Sequence, residues 1–378
     1  MHESGAQIKE GCLTINMEQN KLFFNSDNNF QKKDYIKSDL IYGDKKLVQR
    51  PFITIAIPTY KREILLKQAI DSAIYQISPI VEYEIIIVDN ESIDTVFEKK
   101  IETETEKLVK TYNNPRILYY RNSKNIGMFG NYNRCIELAR GEWVAFLHDD
   151  DVLDKSYVNR ASKLVNRKKQ IGAILSNFKK FKGDNKPVDE EHYENSLQIS
   201  IRKFKQNKLM RLRQRDSQIM GNIYGAPTCG SIFRKDYLMN TGGFNENHFP
   251  SEDWFFLFKF SGMYKVYKTN SSFGYYRVSI NESLNPTTLK KFILQAIQFR
   301  KYLASKTILG KVLERLFDNE RYFQTLRWVK EYDKNSETEF DQITTEFGFY
   351  YRPIMSRVFK GIQNLYWCTK RIISLFAG

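Results

Sequence analysis

Short apolar runs alternate with longer segments of helical period through the middle of the chain. Runs at Phe52–Ile57, Tyr83–Val88 and Trp143–Leu147 have the length and character of strands that are buried on both faces. Between the first two runs, residues 64–77 place their apolar side chains on one helical face. Strands that alternate with helices at this spacing predict βαβ units, a parallel sheet and an α/β fold. Further strands are predicted at residues 116–120, 171–180 and 231–233.

Polar residues follow three of these strands directly. Thr59 follows the first strand, Asp89 and Asn90 the second, and Asp149–Asp151 the run that begins at Trp143. Because the carboxyl ends of parallel strands meet at one edge of a sheet, these side chains are expected to line one crevice. Three adjacent aspartates alone are typical of an acidic surface turn. The buried strand before them favours a site for a hard divalent cation, which takes oxygen ligands.

A pair of acids also stands at the start of a predicted apolar helix. Glu252 and Asp253 precede the run Trp254–Phe260 and follow Gly242-Gly243, a pattern that marks a tight turn. Carboxylates at a helix N-terminus are often only capping residues. The local sequence leaves a cap and a catalytic role equally open.

The composition of the chain limits the classes of binding partner that we expect. The chain has 378 residues and a net charge of +15, which predicts attraction to an anionic partner. Its basic residues form no zinc finger, basic zipper or RNP motif, so nucleic acid is not expected as a partner. It has neither G-x-G-x-x-G nor G-x-x-x-x-G-K-[ST], so a bound phosphate must be held by a metal ion and scattered donors.

The cysteines and the hydropathy pattern bear on the compartment. Cys12, Cys135, Cys229 and Cys368 form no C-x-x-C pair, which indicates free thiols in a reducing compartment. No apolar signal core opens the sequence, and no apolar run is long enough to span a bilayer. We therefore expect a cytoplasmic site of action.

Several motifs, in order, resemble the inverting glycosyltransferases of family 2. The resemblance covers about residues 52–283 and implies the GT-A fold, a Rossmann-like mixed sheet flanked by helices. The motifs are I-T-I-A-I-P-T-Y-K-R, I-I-I-V-D-N-E-S-I-D, N-I-G, A-R-G-E-W-V-A-F-L with the following D-x-D region, and G-G-F-N-E with the later E-D-W.

The resemblance implies a role for each matching residue. The nucleotide-sugar would be bound by Pro58, Thr59, Tyr60, Arg62, Asp89, Asn90, Asn125 and Asp149. Asp150 and Asp151 would bind Mn²⁺ or Mg²⁺ on the diphosphate. Asp253, with Glu252 beside it, would be the general base. The sequence departs from the family at His148 and Asn90, where Asp is commoner, so the frame of the metal ligands and the choice between UDP- and dTDP-linked donors stay open.

We expect three regions: an N-terminal extension (1–50), a catalytic domain (51–284) and a helical C-terminal region (285–378). Within the catalytic domain, residues 183–195 read as a polar loop and residues 201–217 as a basic helix. The segment after Pro353 interleaves basic with aromatic residues. It is either an interfacial helix on an anionic membrane, making the protein peripheral on the inner face of the cell membrane, or a helix that packs on the domain.

These features predict a metal-dependent inverting glycosyltransferase that moves a sugar from a nucleotide-diphosphate donor to a glycan acceptor, lipid-linked, in surface polysaccharide synthesis. A sugar-nucleotide nucleotidyltransferase is an alternative, but it should carry a glycine-rich loop after the first strand. A non-catalytic glycan- or nucleotide-binding protein is another, and it would not need both Asp150 and Asp253.

Overall fold

The computed structural model describes residues 28–92, 102–181, 183, 209–220, 230–277, 286–330, 341, 344–345 and 348–376. Within these residues the strands form one ten-stranded sheet. The strands are β1 (Ser38–Tyr42), β2 (Ile53–Thr59), β3 (Tyr83–Asp89), β4 (Ile117–Asn122), β5 (Trp143–Phe146), β6 (Val152–Leu153), β7 (Ile171–Phe181), β8 (Leu209–Leu212), β9 (Ile232–Arg234) and β10 (Lys265–Arg277).

Helices cover the sheet and form the C-terminal region. Those of the sheet region are α1 (Glu63–Ile74), α2 (Glu104–Lys110), α3 (Met128–Leu138), α4 (Tyr157–Val165), α5 (Gln214–Met220), α6 (Lys235–Asn240) and α7 (Glu252–Met263). The C-terminal helices are α8 (Pro286–Ser305), α9 (Ile308–Lys330) and α10 (Pro353–Phe376). None of the helices, over the residues described, combines the length and apolar character needed to cross a bilayer.

The sheet is mixed, and its order brings the predicted polar strand ends together. The order is β1-β4-β3-β2-β5-β9-β7-β10-β6, with β8 paired to β10. β2 lies between β3 and β5 and is parallel to both, and Thr59 at its end pairs in register with Asp89. β9 runs antiparallel to β5 and β7, so the sheet is not purely parallel. The predicted strands and the α/β architecture are confirmed.

Both faces of the central strand are buried. Ile53, Ile55 and Ile57 pack into one core cluster with α1, while Ala56 faces a second cluster with α3. This alternation follows from the two-residue period of a strand. Burial of each isoleucine contributes about 1.5–3 kcal/mol relative to exposure, so the strand that carries Thr59 is rigidly held.

The structure corrects one predicted element. Residues 209–212, part of the basic helix expected at 201–217, form strand β8 and pair antiparallel with Val266–Thr269. The helical period could not reveal this pairing, because the edge that satisfies the backbone groups belongs to a distant strand. A helix, α5, begins only at Gln214. Residues 201–208, and residues 184–195 of the expected polar loop, lie outside the described residues.

The sheet also extends beyond the predicted catalytic segment. Strand β1, in the expected N-terminal extension, pairs antiparallel with β4. At the other end of the chain, Phe299 of α8 contacts Phe255 of α7 with ring centroids 4.4 Å apart. Both regions therefore pack directly on the α/β unit.

Candidate active site

The aspartates after β5 lie against the end of β2. Thr59 Oγ1 donates a hydrogen bond of 2.9 Å to Asp149 Oδ2. Arg62 Nη1 lies 2.9 Å from Asp150 Oδ2 and 3.5 Å from Asp149 Oδ1. Burial and the nearby Asp150 raise the pKa of Asp149 to about 6, although Arg62 and Thr59 oppose the rise. The sheet thus brings together four of the residues that the sequence singled out.

Three side chains here could hold one metal ion. One ligand atom from each of His148, Asp150 and Asp151 lies within 4.8 Å of the others. Asp151 is fully buried, and its Oδ2 forms no well-aligned hydrogen bond within the described residues, although it faces His148 Nδ1 at 3.3 Å. Buried polar atoms normally have a partner, and a cation that replaced the His148 proton would supply one here. The donor set, two carboxylates and an imidazole, also suits a divalent ion.

The carboxylates around His148 favour the protonated form of its imidazole. Its Nδ1 lies 3.3 Å from Asp151 Oδ2. Burial alone would lower its pKa, but the carboxylates of Asp151, Asp150 and Asp149 outweigh burial and raise the pKa to about 9. Metal binding at this nitrogen would displace the proton.

Arg277 is a site residue that the sequence did not single out. It is completely buried, and it donates from its backbone nitrogen to Asp151 Oδ1 (3.0 Å) and from Nε to the Asp150 carbonyl (2.8 Å). Its Nη2 donates to Gln68 Oε1 at 2.8 Å. Buried arginines are rare unless paired, and this one holds the aspartate loop in shape. Its local sequence signal is weak, because β10 also carries Lys265 and Lys268 and a polar Thr-Asn-Ser-Ser stretch.

Asp89, at the end of β3, is held from two sides. Its carboxylate accepts hydrogen bonds from Tyr119 Oη (2.7 Å) and from the Glu91 backbone nitrogen (2.9 Å). Burial raises its pKa to about 6, while these two bonds oppose the rise. Asp89 therefore lies at the predicted edge, with little carboxylate surface exposed.

Asn90 has its amide fully engaged inside the protein. Its Nδ2 donates to Asn125 Oδ1 (2.9 Å) and to the Gly127 carbonyl (3.2 Å). Its Oδ1 accepts from Asn122 Nδ2 (3.1 Å) and from the Ile126 backbone nitrogen (2.9 Å). Asn90 and Asn125 are thus brought together as predicted, but Asn90 spends its hydrogen bonds on the N-I-G loop.

The loop after β2 is the exposed part of this region. Pro58 is half-buried in the strand, and Tyr60 is 45% exposed. Lys61 has a left-handed backbone (φ 54°), and its Nζ lies 5.5 Å from the Tyr60 ring centroid. The ring of Tyr60 is therefore accessible for stacking on a base.

The acid pair begins α7, as predicted, after a turn that requires glycine. Gly242 and Gly243 have φ of 86° and 73°, and a Cβ on Gly243 would lie 2.6 Å from Asn133 Oδ1. Both glycines therefore have the left-handed backbone of a tight turn, and Gly243 is also closely packed. The turn directs the chain towards Glu252.

The two acids are not equivalent. Glu252 is buried, and it accepts hydrogen bonds from the Asn245 backbone nitrogen (2.7 Å) and pairs with His248 Nδ1 at 2.6 Å. Asp253 accepts from the Trp254 backbone nitrogen at 2.9 Å through Oδ1. The backbone nitrogen of Asp253 also donates to its own carboxylate. Both oxygens of Glu252 thus bind groups earlier in the loop, whereas the carboxylate of Asp253 accepts from backbone nitrogens at the start of α7.

Asp253 and the aspartate cluster share one electrostatic environment. Burial raises the pKa of Asp253 to about 7, and Glu252 adds to the rise. The hydrogen bond from Trp254 and the charge of His148 oppose it. A carboxylate with a pKa near neutrality is suited to general-base work.

The family is decided by a sequence comparison. The family model described as Glycosyl transferase family 2 matches residues 54–242, half of the 378-residue chain. The chain is a family 2 glycosyltransferase. Its mixed sheet flanked by helices is the GT-A fold that the motifs implied, and the enzyme class is confirmed.

Individual relatives of this glycosyltransferase share about a third of its residues or fewer in the segments that align. The GalNAc(5)-diNAcBac-PP-undecaprenol beta-1,3-glucosyltransferase of Campylobacter jejuni is 27% identical over 70% of this chain and 74% of its own. WcaA of Escherichia coli K12, a putative colanic acid biosynthesis glycosyl transferase, is 35% identical over 32% of this chain and 39% of its own. An uncharacterized glycosyltransferase of Mycoplasma genitalium is 30% identical over 34% of this chain, and the match spans 42% of that protein.

Solved structures of low sequence identity also align with this glycosyltransferase. Staphylococcus aureus TarS 1-349 in complex with UDP-GlcNAc is 17% identical, with a TM-score of 0.48 over 79% of this chain and 93% of that chain. The mannosyltransferase PcManGT of Pyrobaculum calidifontis, in complex with GDP-Man and Mn²⁺, is 14% identical, with a TM-score of 0.45 over 95% of each chain.

Proposed function

We propose that this glycosyltransferase moves a sugar from a nucleotide-diphosphate donor to a glycan acceptor, with inversion and with the help of a divalent cation. The observation that carries the proposal is the grouping of His148, Asp150 and Asp151 beside Thr59 and Arg62, at the carboxyl edge of the sheet. Ligands of open α/β sheets bind at that edge. One metal site and one separate base suit a single displacement.

Donor binding would use the residues that follow β2 together with those that follow β5. Mn²⁺ or Mg²⁺, held by Asp150 and Asp151 with His148 as a third ligand, would neutralise charge on the leaving diphosphate. Arg62 lies beside the same carboxylates and can turn to a phosphate oxygen. Tyr60 would stack on the base and Asp149 would face the ribose or donor sugar. The amide of Asn90 is fully hydrogen-bonded inside the protein, so Asn90 would position the N-I-G loop and would not contact the base. Uridine and thymidine donors are therefore both compatible with the site.

Acceptor activation would belong to Asp253. The acceptor hydroxyl must lose a proton as its oxygen attacks the anomeric carbon, and the bond from that carbon to the diphosphate breaks. Asp253 Oδ2 would take the proton. Glu252 would act as a positioning residue, because its bonds to Asn245 and His248 hold the start of α7.

The acceptor class is proposed from chemistry and from the relatives. The name of the Campylobacter relative describes an undecaprenol-linked glycan, and that of WcaA describes colanic acid synthesis. We propose a lipid-linked glycan of a surface polysaccharide as acceptor. Such an acceptor is presented at a membrane, so the enzyme would work on the cytoplasmic side, peripherally on the inner face of the cell membrane.

A thermal-shift panel tests the donor half of the proposal. Uridine, thymidine and guanosine diphosphates would each be added with and without Mn²⁺, to wild type and to Asp150→Asn. We expect one or more of the nucleotides to stabilise wild type only when the cation is present, and to have little effect on the variant. Equal stabilisation with and without chelator would refute the metal-dependent part.

A further inference from the structure

Helix α10 is firmly attached to the protein along one face. Phe359 is fully buried and stacks on Phe317 of α9, with ring centroids 4.8 Å apart. Tyr366 Oη donates to Asp216 Oδ1 at 2.6 Å, and Lys370 pairs with the same carboxylate. These contacts orient the helix about its axis, and therefore decide which side chains face outward.

The outward face is apolar. Ile354, Val358, Leu365 and Ile372 are 76%, 46%, 69% and 55% exposed. Their spacings of four and seven residues put them on one side of a helix. From Ile354 to Ile372 the stripe runs about 27 Å at 1.5 Å per residue. Gly361 and Cys368 are the exposed residues between them on this face. Large apolar side chains exposed singly are ordinary, but four aligned along a docked helix mark an interaction surface.

Charge selects the kind of partner. The sequence of α10 contains no Asp or Glu. Arg357 and Lys360 are exposed beside the stripe, and neither forms an ion pair with a described residue. A row of apolar side chains with unpaired basic residues beside it complements the surface of an anionic bilayer, where acyl chains lie beneath negatively charged headgroups.

We propose that the exposed stripe of α10 (Ile354, Val358, Leu365 and Ile372) docks on an anionic lipid bilayer, with the helix lying in the plane of the interface. The packed face keeps the helix on the protein while the stripe enters the headgroup region. The two sequence interpretations of this segment, membrane helix and packed helix, therefore apply to opposite faces of it. This inference rests on the peripheral membrane location given under the proposed function, and it is independent of the transfer reaction, so its failure would leave the proposed sugar transfer standing.

A second copy of the chain is the competing occupant. The stripe would fit the four-three spacing of a coiled-coil seam, with Gly361 and Cys368 at the intervening positions. Pairing two such helices would bring Arg357 and Lys360 near their own copies, with no acid on α10 to offset them. Like charges at a helix interface are destabilising, so the bilayer is the better match.

The test is sedimentation of the full chain with vesicles of phosphatidylcholine, with and without phosphatidylglycerol. The variants are Ile354→Ser with Leu365→Ser, and Arg357→Gln with Lys360→Gln. Deleting the helix is unsuitable, because the loss of buried Phe359 would destabilise the fold. A matched control, Ile80→Ser with Lys169→Gln, changes an exposed apolar and an exposed basic residue of the α/β unit.

We expect wild type and control to bind the anionic vesicles equally. The apolar variant should bind about tenfold more weakly or worse, and the basic variant about fivefold more weakly per charge, with a smaller salt dependence. Binding of both variants at the wild-type level would overturn the proposal. So would a dimer in analytical ultracentrifugation that the apolar variant abolishes while vesicle binding stays unchanged.

Discussion

The guanidinium of Arg62 lies 2.9 Å from the Asp150 carboxylate that is proposed to hold the divalent cation. Arg62 and the cation would therefore place two positive charges next to the same carboxylate. A bound diphosphate would offer Arg62 a second anionic partner. This relationship would make metal binding and nucleotide binding cooperative, because a bound diphosphate would draw Arg62 away from the carboxylate that holds the cation.

Arg62→Gln separates the two binding events. Without the guanidinium, Mn²⁺ alone should bind more tightly, on the order of tenfold, because a nearby like charge is gone. The nucleoside diphosphate should bind about tenfold more weakly in the presence of Mn²⁺, because a charge-assisted hydrogen bond is lost. Calorimetric titrations of each ligand measure both. If Mn²⁺ affinity is unchanged, Arg62 does not compete for the cation site.

His148→Asp tests the third ligand. Imidazole suits Mn²⁺ and later transition metals better than Mg²⁺, which prefers oxygen ligands throughout. Replacing the imidazole by a carboxylate should reduce the preference for Mn²⁺ over Mg²⁺ on the order of tenfold. Titration of both cations, without nucleotide or acceptor, gives the ratio of dissociation constants. A ratio identical to that of wild type would remove His148 from the metal site, and Asp150→Asn serves as the reference for lost binding.

Asp253→Asn tests the base. General-base catalysis is typically worth about 10²–10⁴-fold, so kcat should fall by that order. Nucleotide affinity and metal dependence should hardly change, because the base would touch the acceptor alone. Glu252→Gln should cost less in kcat and more in thermal stability, since buried Glu252 holds Asn245 and His248. The opposite order, with Glu252→Gln the slower enzyme, would transfer the role to Glu252.

The raised pKa of Asp253 also predicts how stability depends on pH. Between the ordinary value of 3.8 and about 7 the folded protein retains a proton that the unfolded chain has released. This group therefore favours folding at low pH, and the benefit is lost as the pH rises through about 7. Asp253→Asn avoids that loss, so its melting temperature should exceed that of wild type above the raised pKa. Melting curves across this range would contradict the assignment if the difference were constant.

The sequence determined the parts of this enzyme that depend on local pattern. Strands β2, β3 and β5 could be predicted because apolar runs of strand length are needed wherever a strand is buried on both faces. The meeting of Thr59, Asp89 and Asp149 at one edge followed, because parallel strands end at the same edge. The start of α7 at Glu252 was also local, since acids favour a helix N-terminus.

Tertiary structure decided which of the polar residues are free to act. Glu252 and Asp253 are adjacent acids, and only the folded loop shows that Glu252 is the one that pairs with His248, four residues before it. Asn90 is saturated by Asn122 and by the N-I-G loop, far along the chain from it. Arg277 lies more than one hundred residues from Asp151, which it binds.

Whether residues 209–212 form a strand, and which face of α10 points outward, also depend on elements far away in the sequence. β8 pairs with an edge of β10, and α10 is oriented by Phe317 and Asp216. Period and propensity describe what a segment buries, whereas a hydrogen bond or ion pair depends on which partner the fold brings within reach. The residues of the candidate site, Arg277 excepted, could therefore be named from the sequence, and their contacts with one another only from the folded chain.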